Sequence, residues 1–201
     1  MSTAVTQHAL ERYFAVLGDL GRLVEVADVQ GRRMAPDDGV RRALGLARAT
    51  KTTRSRVFFI GNGGSAGICS HMATDWMKNG GFSSLALNDG ATLTCLGNDL
   101  GFEQVFARQL ESLARRGDLL IAISSSGNSP DILRGVEAAR AATADVVTLS
   151  GFGSDNKLRS EGDVNFYVPN RAYGFVEIAH LAICHAILDI SMDLFPGVPD
   201  A

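Results

Sequence analysis

Apolar residues recur at helical spacing through the first fifty positions, then gather into short dense runs separated by further helical stretches. Leu10, Phe14, Leu17, Leu20 and Val24 predict an amphipathic helix over 6–27. Val40, Leu44, Leu46 and Ala47 predict a second over 37–50, with Gly31-Arg32-Arg33 as the connection. Beyond it, strand-like runs at 56–60, 84–87, 119–124, 145–150 and 163–168 alternate with helical patterns at 65–78, 91–97, 103–113 and 129–142. Residues 151–162 read as loop with a short helix, and a last helix is predicted over 174–194. This βαβα order predicts a three-layer α/β/α sandwich, a parallel sheet with helices on both faces, preceded by an N-terminal helical pair. The last helix is apolar nearly all round, with Val176, Ile178, Leu181, Ile183, Ile187 and Ile190. A helix of that kind is buried on every side, which in a chain this size points to another subunit. The N-terminal helices point the same way, because nothing else in the chain is left for them to pack on.

A length of 201 residues suits one domain. Within it, residues 1–50 are expected to serve oligomer packing and 51–195 to form the binding core. A net charge of −3 gives no electrostatic footprint for nucleic acid or an anionic membrane. Cys69, Cys95 and Cys184 are odd in number and lack a C-x-x-C pair, which suits reduced thiols in the cytoplasm. Glu11, Arg12 and Asp19 interrupt the first twenty residues and exclude a secretory signal. No apolar run is expected to reach the length of a membrane span.

Two strand ends carry the chemistry. Val57-Phe58-Phe59-Ile60 runs into Gly61-Asn62-Gly63-Gly64-Ser65, and Leu119 to Ile123 runs into Ser124-Ser125-Ser126-Gly127-Asn128-Ser129. Glycines let a backbone approach an anion closely, and the helix that follows offers free N–H groups and the positive end of its dipole. Neither stretch is a P-loop or a G-x-G-x-x-G motif. Ordinary β-to-α turns are also rich in Gly, Ser and Asn. Two such loops in register with two strands nevertheless favour a phosphomonoester that is held rather than cleaved, since no lysine is aimed at it.

His71 and Asp75 are four apart and share a helix face, as do Glu177 and His185, eight apart. A carboxylate and an imidazole on a mostly apolar helix must be paired or suffer desolvation. Converging, the four residues suit either a divalent metal such as Zn²⁺ or a general acid/base pair. His180 reads as a core histidine bonded to a neighbour, and His8 as solvated surface.

Taken in order, Gly61 to Ser65, His71, Asn98-Asp99 before Gly101-Phe102, Ser124 to Ser129, and Glu177 through His185 resemble the sugar isomerase (SIS) domains, most of all the phosphoheptose isomerase group. The resemblance spans nearly the whole chain. It implies a flavodoxin-like fold, a homotetramer with active sites at subunit interfaces, and conversion of sedoheptulose 7-phosphate to D-glycero-D-manno-heptose 7-phosphate through an enediol, toward activated heptoses. By the same resemblance, substrate binding falls on Asn62, Gly63, Gly64, Ser65, Asn98, Asp99, Ser124, Ser125, Ser126, Ser129 and Glu177. Zinc ligation falls on His71, Asp75, Glu177 and His185, and proton transfer on Asp75 and His185, with Glu177 as the other carboxylate. The family's typical enzyme has glutamate where this chain has Asp75 and glutamine where it has Glu177. A carboxylate shortened by one methylene on one helix is thus matched by one gained on the other. The competing readings are a non-catalytic SIS protein that binds a sugar phosphate or a partner, and an isomerase of a different sugar phosphate.

Overall fold

The structure, a computed structural model, describes residues 8–192. Helix α1 (Ala9–Leu23) leads into a hairpin of β1 (Glu25–Ala27) and β2 (Arg33–Met34), and α2 (Pro36–Thr53) follows. The core then runs β3 (Arg56–Gly61), α3 (Gly63–Lys78), β4 (Ser83–Ala86), α4 (Gly90–Leu100), α5 (Ala107–Leu113), β5 (Leu119–Ser124), α6 (Pro130–Ala141), β6 (Asp145–Ser150), β7 (Val164–Tyr167) and α7 (Tyr173–Ser191). One seven-stranded sheet has the order β2-β1-β7-β6-β5-β3-β4. β3 to β7 are parallel, whereas β1 pairs antiparallel with both β2 and β7.

Strand alternation builds two cores. Val57, Phe59, Ile121 and Val147 face α2, α3 and α7, where Trp76 meets Phe59 edge-on at 5.5 Å. Phe58, Ile60, Leu120 and Val146 face α5 and α6 with Phe106, Leu110 and Val136. Both faces are covered, so the central strands are continuous apolar runs rather than alternating ones.

The N-terminal expectation needs correction. The helix predicted over 6–27 ends at Leu23, and the supposed connection at Gly31-Arg32-Arg33 is a hairpin turn whose second strand begins at Arg33. Gly31 takes φ +74°, and the Asp28 carboxylate accepts from the backbone N–H groups of Gln30 and Arg32 and from the Arg32 guanidinium. Val26 is buried against Gly39, where a Cβ would fall 2.5 Å from a Val26 methyl. The sheet is therefore mixed at this edge. The helix predicted over 103–113 is a 3-10 turn at Phe102–Gln104 followed by α5. The last predicted helix ends at Ser191, and Leu194 lies outside the described residues. Against expectation, that helix is long and apolar enough to cross a membrane by length and composition, with mean hydropathy 1.4. It packs one face into the core through Val176, His180, Cys184, Ile187 and Leu188.

Among the parallel strands the spatial order is second, first, third, fourth, fifth. In this doubly wound arrangement the chain reverses direction between β3 and β5, and a ligand crevice opens there beyond the carboxyl ends of the strands. The two polar loops leave these two strands, paired side by side up to Gly61 and Ile123.

Candidate active site

Asn62, Ser65, Ser124, Ser125, Ser126, Ser129, Tyr173 and Glu177 line a cavity of about 100 Å³ at that crevice. Gly63 takes φ +53° to start α3, and Gly127 takes φ +63° to close the serine loop. The Ser124 hydroxyl lies 3.3 Å from that of Ser129 and accepts from the Gly127 N–H at 3.1 Å. Ser125 is buried, and its hydroxyl has no partner within the protein. An orphaned buried hydroxyl in a polar cavity calls for a polar occupant. Asn62 and Ser129 hold the capping positions of α3 and α6, yet neither side chain caps its helix. The first turn of α3 is thus left free of a side-chain cap, whereas that of α6 opens on Pro130, which has no N–H, and its next N–H groups face the Asp131 carboxylate.

The serine loop is braced from outside by the segment that Asn156 organises, with Asn156 itself packed against Gly127. The Asn156 amide donates to the carbonyls of Gly151 and Gly153 and its oxygen accepts from the Arg159 N–H. Leu158 N–H donates to the Gly127 carbonyl at 2.9 Å.

A second group of polar side chains stands where α3 and α7 meet. His71 Nε2 lies 3.1 Å from His185 Nε2 and 3.5 Å from Asp75 Oδ2. Ligand atoms of the three residues fall within 4.8 Å of one another. Zinc–nitrogen bonds of about 2.0–2.1 Å set tetrahedral donors about 3.3 Å apart, so His71, Asp75 and His185 fit a divalent metal. Glu177 stands outside this cluster. Its carboxylate lies over Gly64, where any Cβ would collide with it, and it lines the serine cavity. Asn98 and Asp99 are exposed at the end of α4, bonded to each other at 2.8 Å and outside the serine cavity of their own chain. Of the residues singled out from the sequence, the fold thus brings two sets together and leaves the Asn98-Asp99 pair apart.

Sequence reasoning missed Asp131, Tyr173 and Asn156. Asp131 is 2% exposed, and its Oδ2 accepts from Asn62 Nδ2 at 2.7 Å. Burial pushes its carboxyl up, against the opposing pull of the Asn62 amide and the N–H groups of residues 131 and 132. In the sequence it reads only as an acid suited to the first turn of a helix.

His180 is the core histidine expected. Fully buried, it donates from Nε2 to the Ser150 carbonyl at 3.0 Å and so pins α7 to the end of β6. Burial lowers its pKa from 6.5 to about 4. The unfolded chain takes up a proton below pH 6.5 that the folded chain resists until about pH 4. Stability is therefore expected to be full above pH 6.5 and to fall by about 3 kcal/mol as pH drops through that window. Urea unfolding between pH 7.5 and 4.5 checks this; a His180→Gln variant should lose that part of the slope.

The SIS domain family model matches residues 31–151. The phosphoheptose isomerase of Serratia proteamaculans is 33% identical over 177 residues, covering 84% of this chain and 91% of that protein. Among solved structures, the phosphoheptose isomerase of Neisseria gonorrhoeae superposes with a TM-score of 0.79 at 28% identity, covering 92% of this chain and 98% of that one. That of Francisella tularensis does so with a TM-score of 0.79 at 26% identity, covering 94% and 100%.

Proposed function

The chain belongs to the SIS-domain family and, within it, to the phosphoheptose isomerases, and on that premise we propose that it converts sedoheptulose 7-phosphate to D-glycero-D-manno-heptose 7-phosphate. The observation that carries the reading is the pairing of a serine-lined anion cavity with a histidine–carboxylate cluster on the facing helices. The serine loop and the open first turn of α3 take the phosphate. Asn62, Ser65 and Glu177 face the sugar hydroxyls. Two turns of α7 separate Glu177 from His185, about 12 Å along the axis, so an extended sugar chain reaches from one group to the other.

Isomerisation removes a proton from C1 of the ketose, forms an enediol, and returns a proton to C2. Asp75, beside His185, takes the carbon-bound proton, with Glu177 as the alternative base, and His185 moves the proton between the oxygens. His71, Asp75 and His185 would hold a divalent cation such as Zn²⁺, which when bound polarises a carbonyl oxygen. Retention of histidines and carboxylates beside the anion cavity favours an enzyme over a binding-only protein.

We place the site in a homotetramer in the cytoplasm. α1 exposes Leu10, Phe14 and Leu23, and α7 exposes Ile178 and Ile190. With α2 these helices border an apolar groove of about 260 Å³ that includes Leu17, Val40 and Ala182. Surface of this kind is what subunit packing covers. All three cysteines are free thiols, as a reducing compartment keeps them.

The test is a product assay by NMR on sedoheptulose 7-phosphate, with zinc supplied or with a chelator. Appearance of the aldoheptose 7-phosphate is expected, slower under chelation. A folded, assembled protein that leaves the ketose unchanged with zinc present would refute the assignment.

A further inference from the structure

The two loops that shape the anion cavity belong to different βα units, and one side-chain bond ties them together. Asn62 stands between β3 and α3, whereas Asp131 stands in the first turn of α6. The bond between them, 2.7 Å from Asn62 Nδ2 to Asp131 Oδ2, spans 69 positions of sequence. An ionised carboxylate only accepts, so the Asn62 amide must turn its NH₂ toward Asp131 and keep its oxygen for another partner. Asparagine at the start of a helix ordinarily turns that oxygen back to accept from the helix's own second or third N–H. Here it does not, and the first turn of α3 has no side-chain cap.

We propose that Asp131 is a positioning residue for the sugar-phosphate site: it holds Asn62 away from the end of α3, leaves those N–H groups open to the ligand, and fixes which face of the Asn62 amide meets the sugar. The inference rests on the function proposed above. Asp131 touches no reacting atom in this role and acts through Asn62. Its burial serves the role: 2% exposed and bonded to the Asn62 amide, the carboxylate orients that amide without itself lining the cavity. The rival explanation makes Asp131 merely a favourable acid at a helix N-terminus, which would affect folding and leave the cavity unchanged.

A double-mutant cycle separates the two. Affinity is measured by calorimetry with inorganic phosphate and with sedoheptulose 7-phosphate on wild type, Asp131→Ala, Asn62→Ala and the double variant, beside thermal unfolding and turnover. Asp131→Ala is expected to weaken sugar-phosphate binding about tenfold, the scale of one hydrogen bond to a charged group. In the Asn62→Ala background the same change should cost less than about twofold. Asp131→Asn, whose amide oxygen still accepts from Asn62, should recover most of the loss. Equal losses in both backgrounds, or a lowered melting temperature with unchanged affinity, would overturn the role of Asp131 alone. Wild type that binds both ligands without turnover, with the cycle still coupled, would retire the isomerase and keep the positioning role. Wild type that binds neither ligand would overturn both.

Discussion

His185→Ala is expected to slow turnover of sedoheptulose 7-phosphate by about 10²–10⁴-fold, the usual contribution of a positioned acid or base. Its melting temperature should stay near that of wild type. His185 is only partly buried, and its ring meets His71 at a mutual 3.1 Å rather than a core contact. Little packing is lost with it, in contrast to its neighbour Cys184, which is 1% exposed. Sugar-phosphate affinity should change far less than rate, because the serine cavity does not include this residue. Steady-state kinetics with calorimetric binding checks the split. A fall in affinity as large as the fall in rate would instead make His185 a binding group.

The second large effect falls on stability. Gly127→Ala is expected to destabilise the protein by about 3 kcal/mol, from left-handed backbone strain together with overpacking. Gly127 has φ +63°, and an added Cβ would fall inside the Asn156 side chain. Asn156 cannot yield without giving up its bonds to Gly151, Gly153 and Arg159. For a chain of this length the melting temperature should drop by roughly 10 °C. Phosphate affinity should fall with it, since the same glycine's N–H is bonded to Ser124 inside the cavity wall. A variant with wild-type melting temperature and phosphate affinity would mean that the loop and its brace move apart freely.

What the sequence disclosed, and what it hid, follows from the range of each interaction. Dense apolar runs such as 57–60 and 119–123 announced strands buried on both faces, and the small polar residues after them announced loops at the crevice. Strand order made the two loops neighbours, and the βα alternation alone does not fix that order. The β1–β2 hairpin was hidden because Val24 continues the helical pattern of α1 up to the first residue of the strand. Only pairing with Phe166 and packing on Gly39, remote in sequence, decide for the strand.

The site shows the same division. The His71–Asp75 pair was legible from its four-residue spacing, and its meeting with His185 needed α3 and α7 to pack, which the apolar character of both helices favoured. Glu177 and His185 share a side of α7, but two helical turns carry them to different stations. One lies in the anion cavity and the other in the histidine cluster. Periodicity reports the face of a helix and is blind to axial position. The Asn62–Asp131 bond had no local signature at all, since it joins two loops through the sheet order.

The measurement that tests the central claim most directly is proton exchange. Sedoheptulose 7-phosphate is incubated with the zinc-supplied enzyme in deuterium oxide, and the products are read by NMR. Base-mediated transfer through an enediol predicts deuterium at C2 of the aldoheptose 7-phosphate and at C1 of recovered ketose, both lost in His185→Ala. A wild-type protein that binds the sugar phosphate yet yields neither the aldose nor exchange at C1 would contradict the account.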